Sequence, residues 1–350
     1  MPSLTDFDYH LPPELVAQYP LPRRDASRLL VLRRDRGEVH HARFRELAGW
    51  LDHNDVLVVN DTRVFPARLR GHKESGGRVE LLLHHLPAAG DTGVEAPESA
   101  RARATYRGRL KVGQVLHFGD NLRAEVVSLV APGVAEVLFA TANGGLSGAL
   151  LQAGEVPLPP YIQRSPRCED RDRYQTIYAA RPGAIACPTA GLHFTEELLR
   201  GLAQRGIETV TVTLHVGPGT FLPVRQEDYT RHRMEPEYFE LPEEAAARLN
   251  EARGRGKRLV AVGTTSVRVL EHCAGKSGFV PQQGWCDLYI YPGYQYKAVD
   301  RLLTNFHLPR STLLLLVSAF AGRDLLLRAY EEAVRERYRF YSYGDCMLIL

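Results

Sequence analysis

The stretch "DVLVVNDTRV", beginning at Asp55, runs apolar without alternation and then turns abruptly polar. A continuous apolar run bounded by polar residues predicts a strand buried on both faces, as in a sheet flanked by helices. Beyond Pro66 the pattern changes to short alternating segments broken by glycines, as in "RVELLL", "RARATYRGRLK" and "LRAEVVSLVAPGVAEVLFA". Period-two alternation with turn residues predicts strands, so residues 66–150 read as an inserted all-β domain, a small barrel without a helix. From residue 151 onward strands and helices alternate.

In that later part "GAIAC" predicts a strand, and Thr195 an N-cap for "EELLRGLAQR", which Gly206 closes. "IETVTVTLHV" is a β-branched strand. "LPEEAAARLNEARGR" predicts a helix with Pro242 in its first turn, "KRLVAVG" a strand, "SVRVLEHC" a helix and "CDLYIYPG" a strand. "RLLTNFHLPRSTLLLLVSAFAG" reads as strand, turn and helix, and "RDLLLRAYEEAVRERY" as an amphipathic helix. The expected fold is therefore an α/β body, residues 1–65 and 151–350, with a mixed β-sheet flanked by helices, plus the barrel-like small domain over 66–150.

The 350 residues, 44% hydrophobic and 24% charged, suffice for two domains. A formal charge of +3 neither demands nor excludes a polyanionic partner. Five scattered cysteines without a C-x-x-C pair give no disulfide framework or zinc spacing. The longest aliphatic run, Leu313 to Val317, is too short to span a bilayer. The expectation is a cytoplasmic, monomeric protein with no membrane partner and no metal.

The chemically distinctive residues fall where predicted strands end: "NDTR", "PTAGLH", "HVGPGTF", "GTTSVR" and "TNFHLPRS". In open α/β sheets ligands bind beyond the carboxyl ends of the strands, so these five loops are expected to line one cleft. Thr189, Gly191, Gly217, Gly219, Thr220, Gly263, Thr264 and Thr265 suit close backbone approach and hydroxyl contacts to a small polar molecule. His193, His215 and His307 can exchange protons near neutral pH, and Asp61, Thr62, Asn305 and Asp345 add polar groups. Arg63 and Arg268 could hold an anion. A lone histidine beside a strand is commonly structural; convergence of five loops is what favours a site. The strip 101–111, with five basic residues and no acid, could track a nucleic-acid backbone or be an ordinary solvated face. No phosphate loop, dinucleotide fingerprint, H-E-x-x-H or G-x-S-x-G occurs. Two rival readings stand beside a small-molecule enzyme: an RNA-binding protein without catalysis, and a metal-dependent hydrolase.

"YQTIYAARPGAIACPTAGLHFT", "LHVGPGTFLPV", "VGTTSVRVLE", "LLTNFHLPRSTLLLLVSAFAG" and "YRFYSYGDCMLIL" closely resemble the S-adenosylmethionine:tRNA ribosyltransferase-isomerase family of queuosine biosynthesis. "FDYHLPPELVAQYPLPRRDASRLLVL" and "NDTRVFPARLRG" extend the resemblance over essentially the whole chain. Cys187 stands where the family usually has alanine, and Glu235 where it usually has histidine. The resemblance implies a metal-free, two-domain enzyme with S-adenosylmethionine as co-substrate. Its other partner is implied to be tRNA carrying 7-aminomethyl-7-deazaguanine in the anticodon. The implied reaction moves and isomerises the ribosyl group onto the aminomethyl nitrogen, giving epoxyqueuosine and releasing adenine and methionine. On that reading His193, His215, Asp61 and Thr62 are the catalytic candidates. The glycine and threonine loops cradle the co-substrate, and Arg63, Arg268, Asn305, His307 and Asp345 face the nucleic-acid substrate.

Overall fold

The computed structural model describes residues 2–87, 99–141, 145–221 and 226–350. The chain opens with β1 (Arg28–Arg33), β2 (Glu38–Arg43), β3 (Asp55–Asn60) and β4 (Thr62–Val64). It continues through β5 (Arg68–Lys73), β6 (Arg78–Leu83), β7 (Ser99–Arg107), β8 (Val115–Phe118), β9 (Leu122–Ala131) and β10 (Val134–Thr141) to α1 (Leu146–Ala153) and β11 (Gly154–Glu155). The remainder holds α2 (Asp170–Arg173), β12 (Arg181–Ala184), α3 (Glu196–Gln204), β13 (Glu208–Leu214), β14 (Glu237–Leu241), α4 (Glu243–Gly254), β15 (Arg258–Val262) and α5 (Thr264–Cys273). Two short strands β16 (Ala274–Gly275) and β17 (Gly278–Phe279) precede β18 (Gln282–Cys286), β19 (Arg301–Asn305), α6 (Thr312–Ala321), α7 (Arg323–Arg335) and β20 (Cys346–Ile349).

Nine strands form the main sheet in the order β18-β14-β13-β3-β15-β19-β20-β1-β2. β13, β3, β15 and β19 run parallel at its centre, and antiparallel neighbours make the sheet mixed. Every residue of β3 is buried. Its side chains divide by period two: Val56 and Val58 pack with residues of α4 to α7, whereas Leu57 and Val59 pack with Phe44, Phe194 and Leu202 on the other face. Each such buried aliphatic side chain contributes about 1.5–3 kcal/mol relative to exposure. Asp55, wholly buried at the start of β3, receives Arg258 at 2.8 Å and Arg301 at 2.7 Å, which ties the amino ends of β3, β15 and β19 together.

β5, β6, β7, β10, β9 and β8 close on one another through β5 and β8, a six-stranded antiparallel barrel to whose β5 the short β11 is added. Its alternating inward residues, Ala102 and Ala104 of β7 among them, form a separate core. Two expectations are corrected here. A helix, α1, begins inside the span read as purely β, because "LSGALLQA" buries Leu146, Ala149 and Leu150 on one helical stripe. The barrel sheet also continues past residue 150 into Gly154 and Glu155.

Two further corrections concern strands. "GAIAC" gives only the end of β12, which pairs with β4 in a separate two-stranded sheet rather than joining the main one. "CDLYIYPG" is largely loop, since β18 ends at Cys286 and beyond it the Leu288 carbonyl accepts from the Arg268 guanidinium, which also bonds the Cys286 carbonyl. Thr195 caps α3 as expected, its hydroxyl accepting from Leu198 N–H at 3.2 Å, and Gly206 takes φ +77° beyond the helix end. Pro242 sits one position earlier than expected, as the N-cap of α4.

Candidate active site

The parallel register places the carboxyl ends of β3, β13, β15 and β19 on one rim of the sheet. Because β20 is antiparallel to β19 and parallel to β1, Asp345 and Ser27, which precede those strands, lie at the same rim. Sequence positions from 27 to 345 thus meet at one edge.

A cleft of about 740 Å³, its open mouth included, occupies this rim. Thr189, Gly263, Thr264, Thr265, Asn305 and His307 line it, all anticipated from the strand-exit loops. Gly263 caps α5 at φ +88°, a left-handed conformation that disfavours a side chain there. Its N–H is held by the Leu303 carbonyl at 2.8 Å. His307 is buried with Nε2 2.8 Å from Thr304 Oγ1, and burial lowers its pKa to about 3, so the ring is neutral.

Sequence reasoning missed the aromatic wall of this cleft. Tyr161 and Tyr341 pack at 4.7 Å between centroids, Tyr161 Oη lies 2.7 Å from Ser342 Oγ, and Phe306 and Tyr174 complete the lining. Tyr341 holds φ +69°, which is unfavourable for an aromatic residue and marks a locally constrained backbone. No glycine stands at that position to signal it. Three polar atoms of the lining residues have no hydrogen-bond partner, Tyr174 Oη, Thr265 Oγ1 and Asn305 Oδ1. Buried polar groups are ordinarily paired, so unpaired ones in cleft-lining residues are where a ligand's hydrogen-bonding group would be most stabilising.

His193 does not face this cleft. It borders a smaller cavity of about 290 Å³ with Ser27, Arg24 and Tyr343, and Ser342 borders both. Its Nδ1 lies 2.8 Å from Ser27 Oγ, which donates onward to the Arg24 carbonyl, and its Nε2 receives Asn305 Nδ2 at 3.3 Å. The network assigns the proton to Nδ1. Burial lowers the pKa to about 4, with the Asn305 contact opposing. Both ring nitrogens are thus engaged.

Asp61, Thr62 and His215 form a third group at the exits of β3 and β13. Thr62 Oγ1 is 2.7 Å from His215 Nδ1, and Asp61 Oδ1 accepts from Thr213 Oγ1 at 2.7 Å. Arg181 stands 3.9 Å from Asp61 and pairs with Glu240. Burial, then the nearby Arg181 charge, lowers the His215 pKa to about 4, and burial raises that of Asp61. The imidazole stacks on Tyr238 at 5.6 Å. Gly183 also lies against the ring, and a Cβ there would approach it within 2.5–2.7 Å. Asn60 holds the pair in place by bonding both the N–H and the carbonyl of Leu214 through its side chain.

The remaining candidates separate from the cleft. Arg268 is buried against Glu237, with further bonds to the Leu288 and Cys286 carbonyls, and so serves the fold rather than an anion. Asp345 is buried and accepts Arg28 N–H at 2.7 Å and Arg339 N–H at 2.8 Å. Arg63 is exposed. Gly191 packs on Tyr178, whose hydroxyl a Cβ would meet at 2.2 Å. Gly217 N–H donates to Glu237 Oε1 at 2.8 Å, and Gly219 lies beside the exposed Glu235. The Thr220 side chain lies outside the described residues. Among the described residues no group of three or more His, Cys, Asp or Glu could hold a metal ion, and no helix is long and apolar enough to cross a membrane.

The family model described as queuosine biosynthesis protein matches residues 4–349. The chain belongs to that family. It is 49% identical to the S-adenosylmethionine:tRNA ribosyltransferase-isomerase of Syntrophotalea carbinolica, with 99% of each chain covered. It is 50% identical to the enzyme of that name from Carboxydothermus hydrogenoformans, over 99% of this chain and 100% of the relative. The crystal structure of S-adenosylmethionine tRNA ribosyltransferase from Thermotoga maritima superposes with a TM-score of 0.56 at 36% identity, covering 99% of this chain and 100% of that one. The family's queuosine role agrees with the likeness carried by the strand-exit strings, which here build the rim.

Proposed function

We propose that this chain is an S-adenosylmethionine:tRNA ribosyltransferase-isomerase. It transfers the ribosyl group of S-adenosylmethionine to the aminomethyl nitrogen of 7-aminomethyl-7-deazaguanine at the wobble position of tRNA. The sugar is isomerised to the epoxy-cyclopentanediol of epoxyqueuosine, and adenine and methionine leave. The observation that carries this reading is near-50% identity to so-named enzymes over 99% of the chain, in a fold whose rim cleft joins an aromatic wall to unpaired polar groups. A flat base and a polar sugar suit that lining.

The reaction needs a proton taken from the carbon beside the sulfonium, a proton or hydrogen bond given to departing adenine, and a neutral amine. His215 suits the basic task. Its ring is neutral down to about pH 4, and Thr62 fixes one nitrogen so that the other is directed. Asp61, with a raised pKa beside Thr213, suits holding the sugar hydroxyls or the amine. His193, with both nitrogens engaged, is read as a positioning residue for Asn305. Thr189, Gly263, Thr264 and Thr265 line the co-substrate side of the cleft. Cytoplasmic location and a monomeric state belong to this reading.

The test is incubation of the protein with S-adenosylmethionine and tRNA carrying the aminomethyl base. Mass spectrometry is expected to find the epoxy-cyclopentanediol adduct and free adenine. Retention of tRNA without either product would favour a binding protein, and loss of activity on chelation a metal-dependent enzyme.

A further inference from the structure

Asn305 ends β19 at the centre of the rim and is 2% exposed. Its Nδ2 faces three acceptors: the Tyr341 carbonyl at 3.0 Å, the Asp345 carbonyl at 3.4 Å and His193 Nε2 at 3.3 Å. Two backbone carbonyls cannot donate, so the amide cannot turn over without setting oxygen against oxygen. Oδ1 is therefore the end left over, and it has no partner. Leaving such an acceptor unpaired in a buried site is costly, and the cost is relieved only by a group that donates.

The surroundings say which group. The Asn305 end of the cleft is its aromatic end: Phe306 follows directly, and Tyr341, whose carbonyl fixes the amide, packs its ring on Tyr161 at 4.7 Å. The hydroxyl-bearing stretch Thr264–Thr265, which opens α5, lines the same cleft. A planar base belongs against the rings and a sugar against the hydroxyls. Adenine in a nucleoside has one hydrogen-bond donor, its 6-amino group.

The geometry points to Asn305 as the residue that selects a 6-aminopurine, with Oδ1 accepting from the exocyclic amine of the S-adenosylmethionine base. This assignment rests on the ribosyltransferase reading above and specifies how that site recognises its co-substrate. Tyr341, strained at φ +69°, and His193 act through Asn305 by holding its amide in the accepting orientation. A 6-oxo purine would oppose oxygen to oxygen, and a 6-hydrogen purine would leave Oδ1 unpaired.

The experiment compares S-adenosylmethionine with its 6-hydrogen purine and 6-oxo (hypoxanthine) analogues, measuring kcat/KM on tRNA carrying the aminomethyl base and binding by calorimetry. The intact protein is expected to disfavour both analogues by about a hundredfold or more, as sites built around a buried hydrogen bond do. Asn305→Ala is expected to bring S-adenosylmethionine and the 6-hydrogen analogue within about threefold of each other, largely through KM. Analogues accepted within threefold by the intact protein would overturn the assignment, even if Asn305→Ala fails to fold. Undiminished discrimination in a folded Asn305→Ala would do the same. Absence of any adduct with S-adenosylmethionine itself would instead overturn the ribosyltransferase reading, while the calorimetric comparison still decides the role of Asn305.

Discussion

Thr62 Oγ1 lies 2.7 Å from His215 Nδ1, although 153 positions separate the two residues in the chain. The contact forms because β3 and β13 are parallel neighbours, so both residues leave the sheet at the same rim. Thr62 thereby fixes the ring orientation, and in the proposed reaction the neutral imidazole is the base. His215→Ala is expected to lower turnover about a hundredfold or more, and Thr62→Val about tenfold, with thermal stability changed little. Single-turnover rates on folded variants check this. A near-normal rate in His215→Ala would remove it from the proton chemistry.

Gly183 tests the same ring through a second contact. Gly183→Ala would place a Cβ within 2.5–2.7 Å of the His215 imidazole, so the ring must leave Thr62 or the β12 backbone must shift. The expected result is a loss in kcat close to that of His215→Ala, with the KM for S-adenosylmethionine little changed. Measuring kcat and KM separately distinguishes this from a general loss of the cleft.

Much of the fold could be read from the chain because its strongest signals are local. The unbroken apolar run of β3 reports burial on both faces, and Thr195 and Gly206 mark helix ends by their own chemistry. The site was half legible for the same reason. Thr264 and Thr265 follow a strand and reach the cleft directly, whereas the fate of Arg268 depends on Glu237, 31 residues away, and on carbonyls of an irregular segment. His193 shows the limit most clearly. Its residue type suggests a proton carrier, but burial keeps the ring neutral and Ser27 and Asn305, far away in the chain on both sides, engage its two nitrogens. Tyr341 gave no signal at all, since a left-handed tyrosine is held by tertiary contacts and not by propensity.

Arg268 yields a prediction that separates fold from binding. Removing the guanidinium leaves Glu237 buried beside it without its cation, so Arg268→Ala is expected to destabilise the protein by about 3–5 kcal/mol. Any protein that remains folded at low temperature should retain its KM for both substrates. Denaturant unfolding together with steady-state kinetics checks both halves, and a selective rise in KM would return Arg268 to the binding surface.

Acid stability follows from histidines whose pKa burial lowers, most strongly His193, His215 and His307. His193 and His215 have pKa values lowered to about 4, and His307 to about 3, chiefly by burial. In the unfolded chain each imidazole takes up a proton near its ordinary value of about 6.5. Below that pH the unfolded state binds more protons than the folded one, so stability is complete above about 6.5 and falls as the pH drops toward 4. Each histidine contributes up to about 1.4 kcal/mol per pH unit in that window, and His215, only partly enclosed, contributes less. Thermal unfolding at pH 7.5, 6.5, 5.5 and 4.5 should therefore show a nearly level Tm over the first step and a steepening decline afterwards. His307→Asn, which keeps a polar group near Thr304 but cannot take up a proton in this range, should make the decline shallower, by up to about 1.4 kcal/mol per pH unit. An unaltered slope in that variant would mean that the carboxylates, of which Asp170 is held below its usual range when the bonds from Arg164, Arg167 and Tyr343 outweigh burial, govern the acid limb instead.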